Sequence, residues 1–100
     1  MVQKTSKHLK AVRHLLLSRL HGYNVKIYLF GSMARGEACR ASDIDVAVLP
    51  AGNLPDGILS EIRDELENSR NPYRVELVDL AKVSPGFSAY VQRTGILWNG

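Results

Sequence analysis

Hydrophobic residues recur at helical spacing in three segments of the chain. Leucine and valine side chains three or four residues apart predict a first helix from about residue 4 to Leu20, and Gly22 is placed to end it. A second helix is predicted to start near Pro55 or Asp56, where one side is apolar and the other is acidic. A less regular pattern predicts a third helix over residues 85–93.

Three short runs are rich in β-branched and aromatic residues and are bounded by turn residues, which is typical of strands. They cover residues 25–30, 43–49 and 73–80. Residues 33–41 are predicted to form a turn with one helical turn around Ala34, and residues 95–98 a short extended tail. Both sides of the first strand are apolar, since Ile27 and Leu29 point to one side and Tyr28 and Phe30 to the other.

The lengths of the connections predict how these strands pair. The segment 31–42 is too short for a packed crossover helix, so the first two strands are expected to be antiparallel. Residues 50–72 can hold such a helix, so the second and third strands are expected to be parallel. The predicted fold class is therefore α/β (α+β), with a small mixed β-sheet and helices packed on one face.

Acidic side chains gather where the predicted strands meet at one edge of the sheet. Asp43 and Asp45 share a face of the second strand, about 6.6 Å apart along the chain. Their mutual repulsion is relieved by a hard cation such as Mg²⁺, which takes carboxylate oxygens together with substrate phosphates. Glu76 on the third strand lies at the same depth, about 4.8 Å over. The three carboxylates predict a two-metal site.

The residues around this edge are suited to phosphate. After the first strand, Gly31 allows a sharp turn whose N–H groups bind an anion, and Ser32 adds a hydroxyl donor. Arg35 is a fork-shaped phosphate donor, and Ser42 ties the turn to the second strand. Taken singly, a Gly-Ser pair is most often a turn and a D-x-D a capped strand end or a calcium-like loop. Joined in this order, they indicate a metal and phosphate site.

This order resembles the minimal nucleotidyltransferases (MNT), small members of the DNA polymerase β-like superfamily. Their pattern is a strand ending in G-S, an A-R-G turn, S-D-I-D on the next strand and a later strand similar to V-D-L-V-D-L. The matching residues here are Gly31-Ser32, Ala34-Arg35-Gly36, Ser42-Asp43-Ile44-Asp45, Val75-Glu76-Leu77-Val78-Asp79-Leu80 and the closing Gly95-Ile96-Leu97-Trp98. The likeness covers almost the whole chain. Glu76 departs from it, because the family usually has Asp there.

The resemblance implies transfer of a nucleoside monophosphate, usually from ATP, with Mg²⁺. Proteins of this kind and size are commonly the antitoxin paired with a HEPN-domain ribonuclease toxin, and they adenylylate a tyrosine of that partner. Carried onto this chain, Asp43 and Asp45 would hold Mg²⁺, and Glu76 would complete the site and accept the proton of the acceptor hydroxyl. Gly31 and Ser32 would hold the triphosphate.

Charge and composition narrow the class of protein. With 100 residues, 45% of them hydrophobic and 23% charged, we expect one globular domain over residues 1–100. Residues 1–36 hold seven Lys or Arg and no acid. Aromatic residues are not interleaved with these bases, so we favour a solvated helix face that complements an acidic partner or the acidic part of the chain, and we expect no direct binding of nucleic acid.

The absence of long apolar runs and the cysteine count predict where the protein is located. The chain has no apolar run long enough to span a bilayer and no secretory h-region, so we expect no membrane association and a cytoplasmic location. Its single cysteine excludes an internal disulfide and a cysteine-based zinc site.

Three functions remain open on the sequence. The first is an active protein-modifying nucleotidyltransferase, which the intact G-S, D-x-D and Glu76 favour. The second is a catalytically weak or inert module that inhibits its partner by docking. The third is a transferase acting on a small molecule or an RNA end. On the third strand, Asp79 faces away from Glu76 if the strand is regular. Asp79 is therefore expected to bond a loop amide rather than to join Asp43 and Asp45.

Overall fold

The computed structural model describes residues 3–31, 34, 44–69 and 74–99. Within them, three helices and four strands follow one another along the chain. They are α1 (Gln3–Arg19), β1 (Val25–Phe30), β2 (Ile44–Pro50), α2 (Ile58–Asn68), β3 (Val75–Asp79), α3 (Pro85–Thr94) and β4 (Ile96–Leu97). The predicted helices and strands are present, with bounds that move by a few residues at most, and the predicted tail is the short strand β4. Apart from Ala34, the turn predicted over residues 33–41 lies outside the described residues.

The strands form one mixed sheet in the order β3-β2-β1-β4. β1 is antiparallel to β2, and β2 is parallel to β3, as the connection lengths predict. β4 is antiparallel to β1 on the far side from β2. β3 therefore lies at one edge of the sheet and β4 at the other.

One face of the sheet carries the larger hydrophobic core. Inward side chains of α1 and α2, such as Leu16 and Ile62, pack against alternate strand residues, such as Ile27 and Val46. All four are almost fully buried. Arg19 near the end of α1 also pairs with Glu61 on α2 at 3.0 Å, and with Glu65. These pairs are exposed to solvent, so the apolar contacts supply most of the stabilisation.

α3 packs on the opposite face, which corrects one part of the predicted fold. Val91 of α3 is fully buried against Tyr28 and Ala47, together with Leu80 from the end of β3. The fold class is confirmed as a mixed sheet with helices, but only α1 and α2 share a face. The physical reason is that β1 is apolar on both of its sides, so each side needs a cover.

Local features fix where α3 begins. Pro85 opens the helix, where the missing N–H is no loss. The Ser84 hydroxyl accepts a hydrogen bond from the Phe87 N–H at 3.2 Å, which satisfies one of the free donors of the first turn.

The chain after β4 completes the edge of β1. The Trp98 N–H donates to the Ile27 carbonyl at 2.7 Å. The Asn99 side chain accepts from the Ile27 N–H at 2.9 Å and donates to the Val25 carbonyl at 2.8 Å. The Asn99 amide thus replaces a further strand residue beside β1. None of the helices in the described residues is long and apolar enough to cross a membrane.

Candidate active site

Phe30, Asp45 and Glu76 lie side by side on three neighbouring strands. They are at the end of the sheet where β1 ends and β2 and β3 begin, which is called the acidic edge below. Asp45 is the antiparallel partner of Phe30 and the parallel partner of Glu76. Because partners on adjacent strands point to the same face about 4.8 Å apart, the two carboxylates are neighbours. Asp45 is half-buried, and Glu76 is exposed. This confirms that β2 and β3 bring the two predicted acids together, on the face that also carries α3.

The backbone at Gly31 passes directly against the Asp45 carboxylate. A Cβ at Gly31 would collide with Asp45 Oδ2 and lie 3.2 Å from its Cγ. Gly31 also has φ +79°, in the left-handed region that glycine adopts without steric cost. The Ala34 N–H donates to the Gly31 carbonyl at 3.1 Å, so the chain turns immediately after the strand. The predicted sharp turn and close approach at Gly31 are both present.

The beginning of β2 is held by its parallel neighbour. The Ile44 N–H donates to the Arg74 carbonyl at 2.8 Å, one residue before β3 begins. Ile44 itself is fully buried in the core beneath the sheet. Asp45 therefore projects from a segment fixed by a hydrogen bond and by packing, which limits how far its carboxylate can move.

The other predicted site residues fall outside the described residues: Ser32, Arg35, Ser42 and Asp43. Within the described part of the chain, no group of three or more His, Cys, Asp or Glu side chains is placed to hold a metal ion. Asp45 and Glu76 are the acidic members that the structure places, and the pairing of Asp43 with Asp45 stays a prediction.

Asp79 is bound elsewhere, as its spacing from Glu76 predicts. It is the partner of Val48 at the exit of β3, and its Oδ1 accepts a hydrogen bond from the Ala81 N–H at 2.9 Å. Its role is to close the turn after the strand. The assignment of Glu76, rather than Asp79, to the edge with Asp45 follows from the register.

Aromatic side chains beside this edge were not singled out from the sequence as functional. Phe87 on α3 meets the ring of Phe30 edge to face, with 5.8 Å between ring centroids and 81° between planes. Tyr90 stacks against Phe87, with 6.5 Å between ring centroids and 27° between planes. The available signal was their spacing of three on one face of a predicted helix.

A surface cavity of about 350 Å³ lies at the opposite end of the sheet. It is formed between the start of α2 and the turn after β3, and Arg63 and Lys82 line it. The Arg63 guanidinium is already tied down, because its Nε and Nη2 donate to the Leu77 carbonyl at 3.2 and 2.9 Å. No residue of the edge at Asp45 lines this cavity.

A known protein family matches most of the chain. The family described as polymerase beta, nucleotidyltransferase matches residues 19–98. The matched segment contains β1, β2 and β3, and with them Gly31, Asp45 and Glu76.

Relatives and solved structures with related folds carry more specific descriptions. A Haemophilus influenzae protein named "Probable protein adenylyltransferase MntA" is 27% identical over 92 residues, which is 92% of this chain and 79% of that protein. A crystal structure of a toxin–antitoxin with AMP-PNP contains a chain 32% identical to this one, with a TM-score of 0.69. The match covers 88% of this chain and 73% of that one.

A further solved structure holds a tri-AMPylated Shewanella oneidensis HEPN toxin in complex with an MNT antitoxin. A chain in it is 29% identical, with a TM-score of 0.65, and the match covers 97% of this chain and 72% of that chain. The likeness thus spans somewhat less than three quarters of the matching chain in each of these two structures.

Proposed function

Because this chain belongs to the polymerase beta nucleotidyltransferase family, we propose that it transfers AMP from ATP onto a hydroxyl of a partner protein. The partner is a HEPN-domain toxin, which the modification neutralises. The relative from Haemophilus influenzae bears the name of a protein adenylyltransferase, and a similar fold occurs beside an AMPylated HEPN toxin. The observation that carries the proposal is the adjacency of Asp45 and Glu76 on β2 and β3, with the Gly31 backbone against Asp45.

The family in general uses a nucleotide and a divalent metal, and the described residues fit a hard cation. Asp45 and Glu76 offer carboxylate oxygens from adjacent strand positions, where like charges repel unless a cation lies between them. With Asp43 two residues before Asp45, the set would hold Mg²⁺, and three carboxylates can serve a pair of such ions. When bound, the metal neutralises charge that develops on the transferred phosphate.

The chain's own residues divide the remaining work. The turn that begins at Gly31 would offer backbone N–H groups, and Ser32 its hydroxyl, to the triphosphate. Arg35 and Ser42 would add donors to the phosphates and to the turn. Glu76 would accept the proton that the acceptor hydroxyl loses as its oxygen attacks the α-phosphate, while the bond between the α- and β-phosphates breaks and pyrophosphate leaves. Its side chain is one methylene longer than the Asp usual in the family, so it reaches further from the strand.

The strand order places the proposed phosphate site and the proposed acceptor site on opposite sides of Asp45. Gly31 and Glu76 lie on opposite flanks of Asp45, because the sheet runs β3-β2-β1. The triphosphate held at Gly31 and a hydroxyl held at Glu76 therefore approach Asp45 from opposite sides. In-line phosphoryl transfer needs this arrangement, with attacking and leaving oxygens on opposite sides of phosphorus.

The acceptor side is open, which favours a macromolecule. Glu76 is exposed and belongs to β3, the edge strand of the sheet. A small acceptor would need an enclosed pocket at this point, whereas an exposed carboxylate on an edge strand is accessible to a side chain carried by another protein. A hydroxyl on a docked protein surface is therefore the acceptor we propose.

A transfer assay tests the proposal. The purified chain is incubated with Mg²⁺, ATP labelled at the α-phosphate, and the protein encoded by the gene next to its own, and complex formation is followed by size-exclusion chromatography. We expect a complex and label on the partner. Asp45→Asn should reduce labelling about a hundredfold or more, since it removes a metal ligand. Asp64→Asn, at an exposed position of α2, is the matched control and should label like wild type.

Other outcomes separate the alternatives. A complex that inhibits the toxin without any label would show an inert docking module. Label on a nucleotide, a small molecule or an RNA end, with none on the partner, would show the third kind of transferase. Equal labelling by wild type and Asp45→Asn would show that the acidic edge is not the catalytic site.

A further inference from the structure

An exposed aromatic patch lies beside the proposed active site. It consists of Phe30, Phe87 and Tyr90. Phe87 and Tyr90 are 37% and 41% exposed, although Val91 on the same helix is completely buried. Large rings left this accessible beside a polar site need a reason, because burying an aromatic side chain stabilises a fold more than exposing it does.

The patch is joined to the acidic edge through Phe30. Phe30 is the cross-strand partner of Asp45, and its side chain points to the same face of the sheet. Phe87 packs edge to face on Phe30, with 5.8 Å between centroids. Phe87 is thus one ring removed from the strand position opposite Asp45.

The proposed phosphate site lies on the same side of Asp45 as the patch. Gly31 directly follows Phe30 at the end of β1, on the flank of Asp45 away from Glu76. α3 covers β1 on this face of the sheet, where Val91 contacts Tyr28. A nucleotide with its phosphates at Gly31 therefore lies beside α3 and the aromatic patch.

We propose that Phe87, supported by Phe30 and Tyr90, is the surface on which the base of the nucleoside triphosphate stacks. The inference rests on the proposed transferase function. Within the patch, Tyr90 already carries the Arg93 guanidinium over its ring at 6.0 Å, so Phe87 is the ring assigned to the base. Its edge contact with Phe30 and its packing on Tyr90 fix its orientation before the nucleotide binds.

The size of the patch favours a base over a protein surface. A stable protein interface buries about 800 Å² on each partner. Two partly exposed rings offer a small fraction of that area but match one planar base. Stacking uses the π-face that all bases share, so the patch contributes affinity for a nucleoside without discriminating strongly between bases.

Calorimetric titration with two probes tests the assignment. Wild type is titrated with Mg²⁺-ATP and with Mg²⁺-tripolyphosphate, which has the phosphates but no base. We expect tighter binding of ATP. Phe87→Ala should weaken ATP binding about ten- to a hundredfold, in line with the loss of one stacked base, and leave tripolyphosphate binding unchanged.

Matched variants keep this test independent of folding. Phe87→Leu retains apolar bulk against Phe30 but has no π-face, so it should behave like Phe87→Ala. Phe87→Trp keeps an aromatic face and should bind ATP about as tightly as wild type. Tyr23→Ala is the control, because Tyr23 is 40% exposed at the other end of β1 and should not affect either probe. Thermal melts of all variants check that each is folded.

The results distinguish failure of the stacking surface from failure of the proposed function. Equal affinity of wild type for ATP and tripolyphosphate, or normal ATP binding by Phe87→Ala, overturns the stacking assignment and leaves the transferase in place. Normal ATP binding by Phe87→Ala with loss of the partner complex would identify the patch as a docking surface instead. Wild type that binds neither probe overturns the proposed function, and the stacking surface with it.

Discussion

Gly31 meets two constraints at one position. Its φ of +79° is costly for any residue with a Cβ, and a Cβ there would also collide with the Asp45 carboxylate. The left-handed turn directs the chain away from β1, and the missing side chain lets the backbone lie against the acid. Conformation and close contact are thus required together, at the point where the triphosphate is proposed to bind.

Comparing Gly31→Ala with Gly22→Ala separates the cost of the positive φ from the cost of the contact with Asp45. Gly22 has φ +91°, and a Cβ added there would meet no atom within 4 Å, so Gly22→Ala carries only the backbone cost, about 1–2 kcal/mol. Gly31→Ala should cost about 1 kcal/mol more, since Asp45 must leave its preferred rotamer. Urea denaturation measures both, and Mg²⁺-ATP should raise the Tm of Gly22→Ala but not of Gly31→Ala. Equal losses of stability would contradict the contact with Asp45.

The two acids of β3 differ in role although they are three residues apart. Glu76→Gln should reduce AMP transfer about a hundredfold or more, because it removes a base or metal ligand next to Asp45. Asp79→Asn should keep its activity and change stability by about 1 kcal/mol or less, since its Oδ1 serves the Ala81 N–H. Initial rates of labelling and urea denaturation are compared for both variants. Full activity of Glu76→Gln would overturn the assignment.

Among the elements, β1 depends on partners from distant parts of the chain. It contacts β2 on one side and β4 on the other, and helices cover both of its faces. Its first residues extend beyond the two-residue strand β4, and there the Asn99 side chain takes over the hydrogen bonding. The strand that ends in Gly31 is therefore bonded along both edges.

Removing the Asn99 amide should loosen this edge. Asn99→Ala leaves the Ile27 N–H and the Val25 carbonyl without their side-chain partner, for which we expect a loss of about 1–2 kcal/mol. Asn53→Ala, in an exposed loop, is the matched control and should be neutral within about 0.5 kcal/mol. Urea denaturation is the measurement. An Asn99→Ala variant as stable as the control would show that water replaces the amide without cost.

Across the whole molecule, the basic helix and the acidic edge lie on opposite faces of the sheet. Lys7, Lys10 and Arg13 are exposed on α1, which packs on one face, whereas Asp45 and Glu76 point to the other. The positive charge does not face the site where triphosphate is proposed to bind. Attraction of an acidic partner surface by these exposed bases stays a prediction from the charge distribution.

The sequence by itself determined the strand pairing and the meeting of Asp45 with Glu76. Connection length decides whether neighbouring strands run parallel or antiparallel, and alternation along β3 separates Glu76 from Asp79. These are local properties, so they can be read without knowing the rest of the fold. Gly31 followed from the same reasoning, since a strand that ends in glycine predicts a sharp turn.

Only the tertiary structure decided where α3 packs and what its aromatic residues face. Phe87, Tyr90 and Val91 follow the i, i+3, i+4 spacing and share one side of α3, but this pattern does not identify which face of the sheet that side packs on. Contacts with Tyr28 and Phe30, much earlier in the chain, make that choice. The pairing of β4 with β1 is equally long-range. Such contacts depend on which apolar face of the sheet remains uncovered after α1 and α2 have packed, and no local pattern in the chain carries that information.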